Sequence, residues 1–288
     1  MSRRDLLYDR VAEETASIVI RRYSTSFGLA ARLLGVGVRQ NVENIYALVR
    51  IADEIVDGTA QAAGLAIGPT GARLDEMERE TEQAMATGFS SNLVVHAFGL
   101  TAREVGFGAE LTQPFFASMR ADLYATEHDQ ASFEKYVYGS AEVVGLMCLR
   151  AFVAGEPVHD QVSDLARLET GARALGAAFQ KVNFLRDLAA DFETLGRSYF
   201  PGVDVATFSE ADKMRLLDDI DADLAVSSAV IGDLPRSSRR AVLLAQSLFA
   251  DLSARLRATP ARQLVSSRVR VPNPVKARLA LAAAIGHA

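Results

Sequence analysis

Two short stretches of the chain hold acidic residues at a spacing that suits divalent-cation chemistry. In NIYALVRIADEIVDG, residues 44–58, Asp53 and Asp57 stand four apart with Arg50 one turn earlier. On a helix that spacing puts both carboxylates on one face, about 6 Å apart along the axis. Ile45, Leu48, Val49, Ile51, Ala52, Ile55 and Val56 surround them, which leaves little polar surface for a solvated acidic face. Carboxylates in an apolar setting need partners. Mg²⁺ suits them, because it prefers oxygen ligands and is commonly held by one or two carboxylates plus substrate phosphates. A second stretch, AAFQKVNFLRDLAADFETLGRSYFP at 177–201, repeats the arrangement with Asp187 and Asp191, the adjacent Arg186, and Asn183 and Gln180 at one-turn spacings. Two such helices facing each other across a cavity could hold a diphosphate through bridging metals, with the arginines neutralising its remaining charge.

The elements that must position these residues are helices. Apolar residues recur at three- and four-residue spacing through most of the chain, and β-branched alternation between turn signals is nearly absent, so the expected fold is all-α. Gly- and Pro-containing breaks are expected as loops at 58–71, ahead of an amphipathic run beginning ARLDEMERE, and at 154–157, 196–204 and 271–274. They divide a bundle without isolating a module, so residues 1–288 read as one domain. With 31 basic and 36 acidic residues, the net charge of −5 argues against a nucleic-acid partner. The single Cys148 allows no internal disulfide and reads as a small buried residue in a chain of the reducing cytoplasm. The N-terminal stretch does not read as a secretory signal, and no run of 18 apolar residues occurs, so any membrane contact is peripheral, at the inner face. DDIDAD at 218–223 fails as a calcium loop at Leu224 and Val230 and reads as a solvated helix face. His96, His128, His159 and His287 lack metal-ligand spacing. Oligomeric state is not legible.

The strings YSTSFGLAARLL (23–34), YALVRIADEIVDG (46–58), YVYGSAEVVGLM (136–147) and QKVNFLRDLAADFETLGRSYFP (180–201) resemble, in order, the successive signatures of the squalene/phytoene synthase family. The resemblance implies the isoprenoid-synthase helical bundle with a central apolar cavity. It also implies about three Mg²⁺ ions, replaceable by Mn²⁺, on Asp53, Asp57, Asn183, Asp187 and Asp191. Prenyl diphosphates are the implied substrates, with Ser24, Ser26, Arg50, Gln180, Arg186 and, from the more distant SSRVRV match, Arg268 as diphosphate ligands. Tyr46 and Tyr136 match cavity tyrosines, Tyr136 being the one expected to steer the carbocation. Glu54 stands where an aspartate is common, a change expected to be tolerated. Tyr23 stands where some relatives have His and Phe249 where many have Tyr, so no role resting on that imidazole or phenol carries over.

The implied reaction condenses two geranylgeranyl diphosphates through a cyclopropyl diphosphate to phytoene. Alternatives are dehydrosqualene or squalene synthesis from two farnesyl diphosphates, and a non-catalytic prenyl-diphosphate-binding subunit. The cations need a dry apolar wall, for which Phe27, Leu29, Val144, Leu146, Met147, Phe179 and Phe184 are candidates, though core packing competes as an account of each. Gly35 and Gly37 are followed by Gln40 where a dinucleotide fingerprint needs a third glycine. No NADPH is therefore expected, which favours proton loss over reduction as the last step.

Overall fold

The computed structural model describes residues 6–154, 162–195 and 198–285, with side chains described throughout except at 162–163 and 189–195. Its elements are helices in sequence: α1 (Leu7–Tyr23), α2 (Thr25–Ala31), α3 (Val36–Val56), α4 (Thr59–Ala62), α5 (Ile67–Thr87), α6 (Leu93–Val105), α7 (Ala109–Ala121), α8 (Gln130–Val137), α9 (Val143–Val153), α10 (Val162–Leu195), α11 (Glu210–Ile231), α12 (Arg236–Ala258), α13 (Ala261–Leu264) and α14 (Asn273–Ile285). A π-helical turn, Tyr138–Glu142, joins α8 to α9, and a 3₁₀ turn, Val205–Thr207, precedes α11. Among the described residues no strand forms; Glu127 and Ser198 share one isolated bridge.

Two of the expected loops are more ordered than composition suggested. The 58–71 segment contains α4, and α5 starts at Ile67, five residues before the amphipathic run that begins at Ala72. The 271–274 break opens α14 at Asn273, with Pro274 at the second helical position, near the helix start where its missing N–H costs least. The 154–157 and 196–204 breaks fall partly outside the described residues.

Among the described residues, two large apolar clusters and two smaller ones make the core. One large cluster is built from α1, α3, α5, α6, α7 and α9 around Phe98, Phe115, Phe116 and Met147. The other large cluster gathers residues of α8, α10, α11, α12 and α14 around Leu185, Leu217, Leu244 and Leu256. Buried polar bonds fix the registers. Asn44 donates to the Thr101 hydroxyl at 3.0 Å, and Thr101 donates to Asn41 at 3.1 Å, tying α3 to α6. Asn92 caps α6, while a Ser209–Asp212 capping box starts α11.

The DDIDAD run is the exposed helix face expected of it, with its carboxylates engaged in ion pairs. Lys181 of α10 binds Asp219 at 2.6 Å and Asp223 at 2.8 Å, and Arg257 of α12 binds Asp218 at 2.8 Å and Asp221 at 2.7 Å. The acidic residues of α11 therefore clamp its two neighbours. The continuous rod 130–153, comprising α8, the π turn and α9, is long and apolar enough to cross a membrane by length and composition, yet half of its most apolar 18-residue window is buried inside the fold. It serves here as a core helix.

Candidate active site

A cavity of about 930 Å³ runs between the two large clusters. Its walls follow helical periodicity: residues 42, 45, 46, 49, 50, 53 and 57 on α3 and its cap, 141, 144, 145, 148, 149 and 152 along the π turn and α9, and 168 to 187 on α10. On α3 the stripe passes from Val42 and Ile45 to Arg50, Asp53 and Asp57. On α10 it passes from Leu168, Ala172 and Leu175 to Gln180, Asn183 and Asp187. Both helices thus send an apolar end to the floor and a polar end to the mouth. At 1.5 Å per residue, Leu168 and Asp187 are about 28 Å apart along α10.

Every metal-binding, diphosphate-binding and tyrosine residue proposed from the sequence, except Asp191, lines this cavity, as do the wall candidates Phe27, Val144, Phe179 and Phe184. Asp191 sits on α10 one turn beyond Asp187, and its side chain lies outside the described residues. Leu29, Leu146 and Met147 are not in the wall. Leu146 and Met147 face the α3–α7 core while Val144, Gly145 and Cys148 of the same helix face the cavity, and Leu29 packs against the other cluster.

At the mouth, α3 ends at Val56, so Asp57 is its C-cap rather than an interior residue. Gly58 follows at φ 137°, a left-handed conformation that costs any residue with a Cβ, and this stops the helix beside the carboxylates. The position is electrostatically adverse. The last-turn carbonyls present the negative end of the helix dipole to two carboxylates. Burial, with the Asp57 charge second, pushes Asp53 up to about 7. Arg50 relieves only part of this, lying 3.7 Å from Asp53 while binding Glu54. Glu54 also accepts the Thr59 hydroxyl. Burial pushes its carboxyl up, but the Thr59 and Arg50 hydrogen bonds outweigh burial and hold it below the usual range. Tyr23, half exposed, lies under the Arg50 guanidinium at 4.6 Å from ring centre to Cζ.

Across the mouth, Asp187 is gripped by two guanidiniums. Arg186 donates to both its oxygens, and Arg268 does so at 2.8 and 3.2 Å. Arg270, Asn273 and Lys276 extend this basic rim, with Lys276 donating to Thr25 at 3.0 Å. Ser24 caps α2 by accepting the Phe27 N–H at 3.0 Å, and its side chain also hydrogen-bonds the Tyr46 phenol.

Deeper in, aromatic rings form two groups. Phe27 lies 5.5 Å from Phe179, 5.6 Å from Phe249 and 6.4 Å from Tyr46, and Phe179 stacks on Phe249 at 3.8 Å. On the other side Tyr136 packs 5.4 Å from Tyr199, which stacks on Phe184 at 4.0 Å. The Tyr136 hydroxyl donates to Asp122, 2.8 Å from each carboxylate oxygen, and that of Tyr199 reaches the same group at 3.4 Å. Burial, then the Asp122 charge, holds the Tyr136 phenol well above its ordinary range. Cys148 is half buried in the wall, and burial pushes its thiol up to about 12.

Asp122, Tyr199 and Lys276 were not found from sequence, and Glu54 was noted there only as a replacement for an aspartate. Tyr199 and Glu54 lie inside quoted motifs, but Asp122 and Lys276 stand in stretches with no chemical pattern. The donor set at the mouth suits a hard cation: carboxylates and amide oxygens, with the Asp53 charge only partly offset by Arg50. Among the described residues no three acidic, His or Cys side chains converge on one point. An ion there would complete its shell with phosphate oxygens and water, as Mg²⁺ does.

The sequence matches the family model described as squalene/phytoene synthase over residues 20–274. A 15-cis-phytoene synthase of Paracoccus is 30% identical over 264 residues, covering 84% of this chain and 81% of that protein. The 15-cis-phytoene synthase of Pantoea ananas is 26% identical over 284 residues, covering 90% and 87%. Among solved structures, a dehydrosqualene synthase in complex with a ligand superposes with a TM-score of 0.78 at 21% identity, over 96% of each chain. The squalene synthase HpnC from Alicyclobacillus acidocaldarius gives 0.73 at 20% identity, over 90% of this chain and 96% of that one. These structural likenesses speak to the helical fold.

Proposed function

This chain belongs to the squalene/phytoene synthase family of prenyl transferases, and from that premise we propose that it joins two geranylgeranyl diphosphates through a cyclopropyl diphosphate into phytoene. The observation that carries the reading is the polarity of the long cavity. Its mouth has carboxylates and guanidiniums for a diphosphate, and its interior is apolar enough for two hydrocarbon chains. The choice of phytoene within the family is supported by the relatives named phytoene synthase.

Asp53 and Asp57 on one side, and Asn183, Asp187 and Asp191 on the other, are the proposed Mg²⁺ ligands. Magnesium, when bound, supplies the Lewis acidity that stabilises the departing diphosphate. Arg50, Arg186 and Arg268 take the outer diphosphate oxygens, with Ser24, Ser26 and Gln180 as further donors. Fixed donors of this kind lower the barrier because they need no reorganisation as charge develops on the leaving oxygens. Phe27, Phe179 and Phe249 present π faces to the carbocation, Val144 and Tyr46 complete the wall, and the apolar lining keeps water from the cation. In this reading, loss of a proton ends the reaction, and no nicotinamide takes part.

The deciding experiment is product analysis after incubating the purified protein with geranylgeranyl diphosphate and Mg²⁺. A forty-carbon triene formed without NADPH is expected. A thirty-carbon hydrocarbon made only from farnesyl diphosphate would replace phytoene with dehydrosqualene, or with squalene if NADPH is required. Asp187→Ala should lose turnover while keeping its helical content.

A further inference from the structure

Asp122 is a carboxylate with no part in the mouth, held 5% exposed at the C-cap of α7 and in the cavity wall. Burying a carboxylate costs several kcal/mol. If the group served only to orient Tyr136, a neutral asparagine oxygen would accept a phenol at lower cost. Its placement is also over-determined. Ser118 of α7 donates to the Tyr136 carbonyl at 3.1 Å, and Gly139 packs so tightly on α7 that an added Cβ would lie 2.2 Å from the Pro114 carbonyl oxygen. The π turn that starts at Tyr138 follows directly, a local widening frequent at functional sites. Two phenols stand over the carboxylate and also line the cavity.

We propose that Asp122, working through Tyr136, accepts the proton that the hydrocarbon cation loses when the final double bond forms; this rests on the prenyl transfer reading above. The C–H bond next to the cationic carbon breaks, and its electron pair becomes the new C=C. The proton passes to the Tyr136 oxygen as Tyr136 hands its own proton to Asp122. A cation and a carboxylate thus become an alkene and a neutral carboxylic acid, which later returns its proton to the released diphosphate. The raised phenol range fits this scheme, since Tyr136 enters the step protonated and can act only by passing a proton on. The interposed phenol has a second effect. It lets the negative charge favour the cation while keeping the carboxylate oxygens from attacking it and forming an ester. Asp122 is therefore a positioning and proton-accepting residue behind Tyr136, which faces the substrate.

The test is Asp122→Asn with geranylgeranyl diphosphate and Mg²⁺, with all hydrocarbons, alcohols and cyclopropyl diphosphate quantified. Hydrocarbon turnover should fall at least tenfold with KM within twofold of wild type. The missing flux should appear as alcohol from water capture of the cation, or as accumulated cyclopropyl diphosphate. Asp122→Glu should restore part of the hydrocarbon, and Asp122→Asn combined with Tyr136→Phe should be no worse than the more damaging single change. Unchanged binding of a non-ionising geranylgeranyl thiodiphosphate would show the mouth intact. If Asp122→Asn does not fold, Asp122→Glu and Tyr136→Phe carry the same comparison. Wild-type hydrocarbon yield from Asp122→Asn, or a loss confined to KM, overturns the proposal and makes the released diphosphate the acceptor. A wild-type chain that consumes no prenyl diphosphate would instead remove the underlying reading, and the proposal with it.

Discussion

Replacing Asp53 with asparagine removes one carboxylate of a close pair at the C-terminal end of α3. In the absence of divalent cations that change should stabilise the fold. Burial and the Asp57 charge push Asp53 from its ordinary 3.8 up to about 7. Three pKa units correspond to about 4 kcal/mol. The side chain keeps a third of its surface exposed, so solvent screening reduces the usable figure to about 2 kcal/mol. The sign follows from proton counting. Between pH 3.8 and about 7 the native state binds more protons at this site than the unfolded chain does, so stability falls as pH rises through that window. The cost is fully present above pH 7 and absent below 3.8. Thermal unfolding in chelator at pH 8 should therefore give Asp53→Asn a Tm higher by about 4 °C, a gap that narrows at pH 5. Millimolar Mg²⁺ should raise the wild-type Tm and leave the variant's almost unmoved, since binding to the native state stabilises it by mass action. A variant that melts at or below wild type in chelator, or a gap that persists at pH 5, would refute the account of Asp53 as an uncompensated charge awaiting a cation.

Three further outcomes rest on packing and burial. Gly145→Ala would place a Cβ 2.4 Å from the Ala172 carbonyl oxygen, where backbone cannot yield, so α9 and α10 must separate; denaturant unfolding should register a loss of about 2 kcal/mol or more. Lys213, 1% exposed, donates to the Arg257 and Thr259 carbonyls at 3.0 and 2.7 Å and pairs with Glu210, so Lys213→Ala should cost about 3 kcal/mol by the same measurement, whereas a surface lysine would cost almost nothing. Cys148, its thiol pushed up to about 12, stays protonated at neutral pH; mass spectrometry after iodoacetamide should find it unmodified in the native protein and alkylated at pH 8 once unfolded.

Much of the mouth was legible because its chemistry is written within single helices. Asp53 and Asp57, or Gln180, Asn183 and Asp187, need only a 3.6-residue period to be brought onto one face, and an apolar setting to make the charge conspicuous. The apolar wall was legible only in part. Met147 and Val144 are equally hydrophobic, and choosing between them requires knowing which side of α9 the second half of the bundle covers. Groups that act across helices left no local trace. Lys181 and Arg257 add ion pairs to the exposed DDIDAD face, but each partner lies more than thirty residues away. Asp122 is one acid in a short connector until α8 brings Tyr136 over it. The helix stop at Gly58 was visible as a glycine, but α4 was not, because four residues of helix carry no periodicity.

The paired charges at the mouth bear on how fast a ligand arrives. Asp187 shares its charge with Arg186 and Arg268, and Arg50 spends its own on Glu54 and Asp53, so acid and base largely cancel at the entrance. A cancelled field reaches only a short distance and gives little long-range acceleration of encounter. Association of a diphosphate with the metal-free protein is then slow, and only weakly dependent on ionic strength. A cation seated on the carboxylates, as proposed, would free the guanidiniums and leave a net positive entrance. In the proposed reaction, these ion pairs would favour metal binding before diphosphate binding.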